Sequence, residues 1–441
     1  MNTPIVDFVK RYAESGVSRL HMPGHKGCGA LGFEQYDITE IDGADVLYSP
    51  EGVILKSENN ATKLFKTAHT YYSTEGSTLC IKAMLAIATN GKRKTVLAAR
   101  NVHKAFLYGA ALLDLNVEWL YPQESKHICS CVVSAEALKN KLQGMPELPS
   151  AVYVTSPDYL GNVQDIKGLA EVCHEFDVPL LVDNAHGAYL GFLKKSQHPI
   201  HLGADMCCDS AHKTLPVLTG GAYLHVGKKA PKAFCDNARR FLSVFASTSP
   251  SYLIMQSLDL CNAELSEEFR DKLSKTEECV TELKTELLAH GFSLLGDEPL
   301  KITVDCAGAG LDGEQVAENL RQNAVECEFC DRDVVVLMFS PSTDGDAFLR
   351  VKTALLSQMI AENTDREFPK TAVPTKAMSI REALFAEQET VKVQNALGRV
   401  CAAPNVACPP AVPPIMSGET ITDDVVKILN YYGIKKIDVV K

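Results

Sequence analysis

Short apolar runs alternate with segments of helical periodicity between about residue 61 and residue 226. This alternation is typical of stacked βα units that share a mostly parallel sheet. In such sheets, polar residues that directly follow the strands gather at one edge, where ligands bind. The pattern predicts strands at residues 95–99, 117–121, 151–155, 179–183, 205–209 and 221–226.

The remainder of the chain has a different pattern. A helical stretch rich in Glu and Lys runs from residue 252 to about residue 290, and shorter strand and helix patterns continue to about residue 360. This part predicts a smaller α/β unit, followed by a linker at 367–376 and a proline-bearing tail that packs as a cap. We therefore expect an N-terminal segment (1–60), a large domain (61–262), a small α/β domain (263–366) and a C-terminal domain (377–441).

Composition narrows the classes of function. A chain of 441 residues with 46% hydrophobic and 22% charged residues is an ordinary globular protein of more than one packed unit. Its net charge of −11 argues against a nucleic-acid partner, which requires clustered Lys and Arg. No apolar run approaches the ~18–20 residues of a membrane span, and the N-terminus lacks a signal-peptide core. Since fifteen scattered cysteines fit a reducing compartment, we expect a cytoplasmic protein without a membrane partner.

Two patterns raise the question of a metal site. Cys327 and Cys330 form a CxxC motif, but a structural zinc site needs a second ligand pair at short spacing. His21 and His25 are four residues apart, but a proline and a glycine between them break the helix that such a pair requires. We expect ordinary thiols and no metal.

Other residues match what a protein supplies to pyridoxal phosphate (PLP): an amine, a carboxylate for the pyridine nitrogen, a phosphate cradle and a flat group against the ring. Lys213 follows the strand at 205–209, a position where a lysine can be desolvated, and desolvation of an amine favours imine formation near neutrality. Asp183 closes the strand at 179–183, where a buried acid needs a cationic partner. Singly, Lys213 would be a surface lysine and Asp183 a turn cap. Their separation by one crossover's length of chain favours the paired interpretation.

A phosphate cradle and a stacking group complete the set. Gly76, Ser77 and Thr78 precede an apolar helical run, and the N–H groups and dipole of a helix N-terminus suit a phosphate. Plain helix capping by Ser or Thr is the alternative for these residues. His103 follows the strand at 95–99, where its ring could stack on a pyridine, and a core or surface histidine is the alternative.

Sequence blocks in the same order occur in a known family. They are 21–27 (HMPGHKG), 37–40 (DITE), 42–43 (DG), 50–52 (PEG), 76–78 (GST), 183–187 (DNAHG), 210–214 (SAHKT), 247–252 (STSPSY), 381–383 (REA), 398–399 (GR) and 418–419 (GE). Together they resemble the Orn/Lys/Arg decarboxylases, in the short form without an N-terminal wing domain. The resemblance implies an α/β, PLP-dependent aminotransferase-like fold (fold type I), with a large domain built on a mostly parallel sheet, a smaller α/β domain and a C-terminal cap.

The resemblance also implies residue roles. Lys213 would hold PLP as a Schiff base, Asp183 would pair with the pyridine nitrogen, and His103 would stack on the ring. His186 would lie beside the ring near the substrate carboxylate, where either it or Lys213 returns a proton to Cα. The cofactor-binding residues would be Gly76, Ser77, Thr78, His103, Asp183, Ala185, Ser210, His212, Lys213 and Thr248, the last reaching the phosphate of the neighbouring subunit.

The function implied is PLP-dependent decarboxylation of a basic amino acid in a homodimer with sites at the interface. Arginine is favoured as substrate, and lysine and ornithine stay open. The sequence departs from the family at three places. Asn184 stands where the family usually has an acidic residue, and Cys80 and Ile81 stand where it has an Asn shortly after the phosphate-binding hydroxyls. Ala411 ends a block that usually reads Tyr-Pro-Pro-Gly. Two alternatives therefore stay open: an aminotransferase or other Cα-bond lyase, because the fold does not choose the bond that breaks, and a non-catalytic binding partner.

Overall fold

The computed structural model describes residues 1–122, 127–266, 268–360, 368–369, 372–403 and 412–441. Part of the expected linker and the prolines at 409 and 410 lie outside these residues. The strands are β1 His69–Ser73, β2 Thr95–Ala99, β3 Asn116–Leu120, β4 Ala151–Thr155, β5 Leu180–Asp183, β6 Met206–Asp209, β7 Ala222–Val226, β8 Ser293–Leu295, β9 Lys301–Asp305, β10 Phe329–Cys330, β11 Val334–Met338, β12 Gln388–Lys392, β13 Cys401–Ala403 and β14 Lys436–Val440.

The helices are α1 Pro4–Glu14, α2 Val53–Phe65, α3 Gly76–Thr89, α4 Lys104–Leu113, α5 Ala135–Gly144, α6 Ile166–Glu175, α7 Pro199–Leu202, α8 Ala211–Thr214, α9 Lys232–Phe245, α10 Tyr252–Leu265, α11 Phe269–His290, α12 Gly313–Gln322, α13 Gly345–Leu356, α14 Ile380–Phe385 and α15 Asp423–Tyr431. None of the helices in the described ranges has both the length and the apolar character needed to cross a membrane.

The predicted α/β sheet is confirmed. Seven strands are ordered β1-β7-β6-β5-β4-β2-β3. β5 and β6 are parallel, as are β2 and β3, whereas β7 is antiparallel to both β6 and β1. Each of the six predicted strands is present within one residue of its expected start and end, and β1 is an additional strand.

The chain forms two compact units, one of residues 1–93, 150–152 and 166–273, and one of residues 94–149, 153–165 and 274–441. The first contains β1, β5, β6 and β7. The second contains β2 and β3 and two antiparallel sheets, ordered β10-β11-β9-β8 and β12-β14-β13. The expected division of the chain into four parts stays a prediction.

In the first unit, two helices show how the sequence determines packing. Residues 79–88 of α3 are almost entirely apolar, so this helix is buried on nearly every side. α1 begins with a proline and leaves N–H groups without partners inside the helix. The N–H groups of Ile5 and Val6 donate to Oδ2 of Asp259 at 2.9 and 3.1 Å, which fixes the start of α1 on α10.

In the second unit, a buried ion pair links the end of β2 to the C-terminal tail. Arg100 donates through Nη1 and Nη2 to the two carboxylate oxygens of Glu419 at 2.7 and 2.6 Å, and the side chains are only 10% and 5% exposed. Glu419 also accepts from the N–H of Met416 at 2.9 Å. The guanidinium carbon of Arg100 lies 5.1 Å from the ring centre of Trp119. Two parallel charge-assisted bonds make this pair a rigid connection.

Candidate active site

Lys213 lies in the turn that directly follows β6. The turn begins with Ser210, whose carbonyl accepts from the N–H of Lys213 at 3.0 Å, and it contains the short helix α8. Nζ of Lys213 lies 3.0 Å from Nε2 of His186, a buried residue that follows β5. The structure therefore brings the two predicted proton-handling groups within hydrogen-bond distance.

The loop that carries Lys213 is closed at its base. Because β7 runs antiparallel to β6, the start of β7 lies beside the end of β6. The carbonyl of Gly221 accepts from both the backbone N–H and Nδ1 of His212, at 3.1 and 2.9 Å. Burial lowers the pKa of His212, and the neighbouring charge of Lys213 lowers it further, although the bond to Gly221 partly opposes both effects. These effects together favour the neutral form of the imidazole.

Asp183 lies at the end of β5, as predicted, and is only 2% exposed. It is paired with Cys208 in the parallel register of β5 and β6. Its Oδ1 accepts from the N–H of Ala185 at 3.1 Å and from the thiol of Cys208 at 3.7 Å. A buried carboxylate with a fixed orientation thus stands one strand away from the turn that holds the lysine.

The predicted phosphate-binding residues converge at the N-terminus of α3. The hydroxyl of Ser210 donates to that of Ser77 at 2.8 Å. Gly76 has a φ of +67°, which favours glycine, and a Cβ there would lie 3.9 Å from Cε1 of His212. The N-terminus of α3 is therefore surrounded by Gly76, Ser77, Ser210 and His212. Hydroxyl groups and the positive end of a helix dipole suit a phosphate.

The other predicted residues are placed as follows. Thr78 is exposed in the first turn of α3, and Ala185 is buried beside Asp183. Thr248 is exposed after α9, in a segment held near the cradle because Glu75 accepts from the N–H of Ser247 at 2.7 Å. Their contacts with a cofactor, and that of Thr248 with a second subunit, stay predictions.

His103 follows β2 in the second unit, as predicted. Its ring caps α4, because Nδ1 accepts from the N–H of Ala105 at 3.1 Å. The side chain is half-buried. Its stacking on a cofactor ring stays a prediction.

One set of residues next to this site was not predicted from the sequence. Asp209 is completely buried at the end of β6, and its carboxylate contacts His198, His225 and Asn184. Asp209, like Asp183, is an acid that closes a buried apolar run. This position is the signal that could have found Asp209.

Three independent observations show that residues of the first unit could hold PLP. An amine contacts an imidazole, a buried acid lies one strand away, and hydroxyl groups converge on a helix N-terminus. These are the groups needed for an aldehyde, a protonated pyridine and a phosphate.

Comparisons with known proteins agree with this chemistry. The family model described as "Orn/Lys/Arg decarboxylase, major domain" matches residues 3–294, and the C-terminal domain of the same family matches residues 357–436. The arginine decarboxylase of Bacillus subtilis (strain 168) is 27% identical over 96% of this chain and 92% of its own length. The fold is similar to that of the lysine decarboxylase LdcF of Francisella novicida (TM-score 0.84, 17% identity, 100% of this chain and 81% of that chain). It is also similar to lysine decarboxylase A of Pseudomonas aeruginosa (TM-score 0.82, 17% identity, 99% and 80%).

Proposed function

The chain belongs to the Orn/Lys/Arg decarboxylase family and is an amino-acid decarboxylase, and we propose that it converts arginine to the corresponding amine and CO₂ with PLP as cofactor. The observation that carries this proposal is the 3.0 Å contact between Nζ of Lys213 and Nε2 of His186, beside the buried acid Asp183. The amine product would enter polyamine biosynthesis.

Each residue has a distinct task in this proposal. PLP anchored at this site through a lysine amine would supply an electron sink for Cα of a bound amino acid, which would make loss of the α-carboxylate feasible. Lys213 supplies that amine, and Asp183 stabilises a protonated ring nitrogen because a buried carboxylate favours a neighbouring cation. Ser77 and Ser210 bind the phosphate through their hydroxyls, helped by the N-terminus of α3.

Proton return is assigned to the pair of Lys213 and His186. At 3.0 Å the amine Nζ and the ring Nε2 can share one proton, so either atom can deliver it to Cα after CO₂ has left. His186 is only 4% exposed, which limits exchange of this proton with bulk water. Because a proton delivered to Cα releases an amine, we expect amine and CO₂ as the products rather than a keto acid.

Arginine is the substrate that the named relatives favour. Several Bacillus and Halalkalibacterium relatives named arginine decarboxylase align with 93–96% of this chain. Lysine and ornithine carry an amine on a side chain shorter than that of arginine, and they stay the alternative substrates.

The decisive experiment incubates the purified protein with arginine, lysine and ornithine and measures CO₂ and amine. We expect amine and CO₂ in equal amounts, fastest with arginine, and no product from Lys213→Ala. Lys228→Ala is the matched control, because Lys228 is an exposed lysine after β7, and it should keep full activity. Keto acid without CO₂ would contradict decarboxylation, and equal activity of Lys213→Ala would contradict the assigned amine.

We also propose a cytoplasmic homodimer. The described cysteines are free thiols, which supports a reducing location. The N-terminal segment of the first unit exposes Leu20, Met22 and Leu31 by 93%, 61% and 71%, which supports a partner surface. Light scattering should give twice the chain mass, and Leu20→Asp with Leu31→Asp should lower it. A monomeric wild-type protein would contradict the proposed dimer.

A further inference from the structure

A fully buried ionic cluster lies directly behind the lysine turn. Oδ2 of Asp209 is 3.0 Å from Nε2 of His198 and 3.1 Å from Nε2 of His225. Oδ1 accepts from the side-chain amide of Asn184 at 2.7 Å. All four side chains are 0% exposed, so water does not screen the charge of this carboxylate.

The cluster joins the segments that carry the predicted site. Asp209 ends β6 immediately before Ser210, and His225 lies on the antiparallel neighbour β7. Asn184 directly follows Asp183, and its backbone N–H donates to the carbonyl of Cys208 at 2.9 Å. One carboxylate therefore fixes the end of β6, the start of the turn after β5 and the strand that closes the lysine loop.

The hydrogen bonds of the cluster stabilise the ionised form of Asp209. Total burial alone would raise the pKa of Asp209, but the two histidines, by charge and by hydrogen bonding, lower it well below its usual value. Burial lowers the pKa of His225, and the carboxylate opposes that effect. An acid at position 184 would place a second negative group against this one, so the neutral amide of Asn184 is the side chain that the cluster requires.

A metal site is the competing interpretation. Among the described residues, His198, Cys207, Asp209 and His225 form a group whose donor atoms lie within 4.8 Å of one another. Two observations favour hydrogen bonding. First, Nε2 of His198 and Nε2 of His225 are both at hydrogen-bond distance from Oδ2 of Asp209. Second, burial raises the pKa of the Cys207 thiol well above its usual value, which opposes a thiolate ligand.

We propose that Asp209 is a positioning residue for the cofactor: held by His198, His225 and Asn184, its carboxylate fixes Asp183 and the lysine turn relative to each other. This inference rests on the proposed function. Asp209 does not touch the reacting atoms in this role. It acts through the geometry of the two strand ends.

The test compares PLP binding and cofactor orientation in three variants of the full chain. Asp209→Asn removes the charge, and Asn184→Ala removes one hydrogen bond while the carboxylate stays. Asp205→Asn is the matched control, because Asp205 is a buried acid that immediately precedes the first residue of β6. Its Oδ2 lies 3.1 Å from Nε2 of His174 and accepts from the N–H of Leu180 at 2.9 Å. The measurements are the PLP dissociation constant, the circular dichroism of bound cofactor in the visible range, the melting temperature and the metal content.

We expect Asp209→Asn to weaken PLP binding by ~10-fold or more, since bonds to a charged group are the strong ones. At saturating PLP its visible circular dichroism should be reduced per bound cofactor, with a smaller change of the same kind in Asn184→Ala. Asp205→Asn should keep the wild-type dissociation constant and spectrum, even if its melting temperature falls as much as that of Asp209→Asn.

The outcomes separate this inference from the proposed function. A wild-type chain that binds no PLP overturns both. A wild-type chain that binds PLP, with Asp209→Asn and Asp205→Asn alike in affinity and spectrum, overturns the positioning role alone. If Asp209→Asn does not fold, Asn184→Ala decides, and a wild-type spectrum in that variant overturns the inference. One equivalent of zinc in the wild type that Asp209→Asn loses would make Asp209 a metal ligand instead.

Discussion

Replacing Glu419 by glutamine removes the counter-ion of a buried guanidinium. Both carboxylate oxygens of Glu419 accept from Arg100, and the two side chains are almost fully shielded from water. A neutral amide of the same size keeps one acceptor for Arg100 but leaves its positive charge uncompensated. The variant therefore tests how strongly the C-terminal tail is held to the end of β2.

The size of the effect follows from the burial. Removing one partner of a buried pair costs ~3–5 kcal/mol, because the remaining charge stays in a medium of low dielectric constant. We expect the lower end, about 3 kcal/mol, because the amide retains one hydrogen bond and the ring of Trp119 still faces the cation. At a urea dependence of about 2 kcal/mol per molar, the midpoint of unfolding should fall by about 1.5 M.

The assay is urea unfolding followed by tryptophan fluorescence. Trp119 is the only tryptophan in the chain and lies 5.1 Å from the guanidinium carbon, so its emission reports on this unit. Glu389→Gln is the control, because its 2.7 Å bond to Arg399 is half exposed and should contribute at most ~0.5 kcal/mol. The double variant Arg100→Met with Glu419→Gln should recover part of the loss. A double variant no more stable than Glu419→Gln, or a loss of stability in Glu419→Gln no larger than in Glu389→Gln, would refute the reasoning.

Three further predictions concern the first unit. Ser77→Ala and Ser210→Ala should each weaken PLP binding ~5-fold to 10-fold in a cofactor titration, and the double variant by less than the product, because the two hydroxyls are bonded to each other; a full product would argue against a shared cradle. PLP affinity should fall as pH rises through neutrality, because the lowered pKa of His212 must rise when a phosphate dianion binds; His212→Gln should flatten this dependence, and an unchanged slope would exclude the histidine. Because the pKa of Asp209 is lowered in the folded state, its carboxylate stabilises the fold above pH ~4, and this contribution is lost as the pH falls below that value. The unfolding free energy of Asp209→Asn should therefore depend less on pH in the acid range than that of the wild type, and an equal dependence in both proteins would count against ionisation of Asp209.

The large sheet was predictable because its strands are apolar runs of the right length. The missed strand, β1, reads His-Thr-Tyr-Tyr-Ser, and its hydroxyl groups conceal the apolar pattern. In the structure those groups have remote partners. Oγ1 of Thr70 lies 2.9 Å from Nδ1 of His225, and the hydroxyl of Tyr72 accepts from the side-chain amide of Asn262 at 2.6 Å. Such partners are distant in sequence, so local periodicity cannot reveal that polar atoms in a strand are satisfied.

The candidate site was also predictable only in part. Lys213 and Ser77 were found from their places after a strand and before a helix, whereas His186 and Ser210 came from the family resemblance. The structure places Lys213 beside His186 and Ser210 beside Ser77. Asp209 closes a buried apolar run as Asp183 does, but its two histidine partners lie eleven residues before and sixteen residues after it, so the cluster itself was not predictable from local sequence. The departure from the family at Asn184 raised doubt about activity in the sequence, and the structure gives a physical reason for an amide there.

The closed base of the lysine loop restricts how this region can change during evolution. Residues 210–221 leave the end of β6 and return at the start of its antiparallel neighbour, so both ends of the loop are set by strand pairing. Gly220 adds a further restriction, because it has a φ of +99° and a Cβ there would come within 3.0 Å of the carbonyl of Thr74. An insertion or deletion would have to be accommodated between these two fixed ends. Engineering of new substrate preferences in this scaffold should therefore leave the length of the loop untouched and alter side chains around its rim.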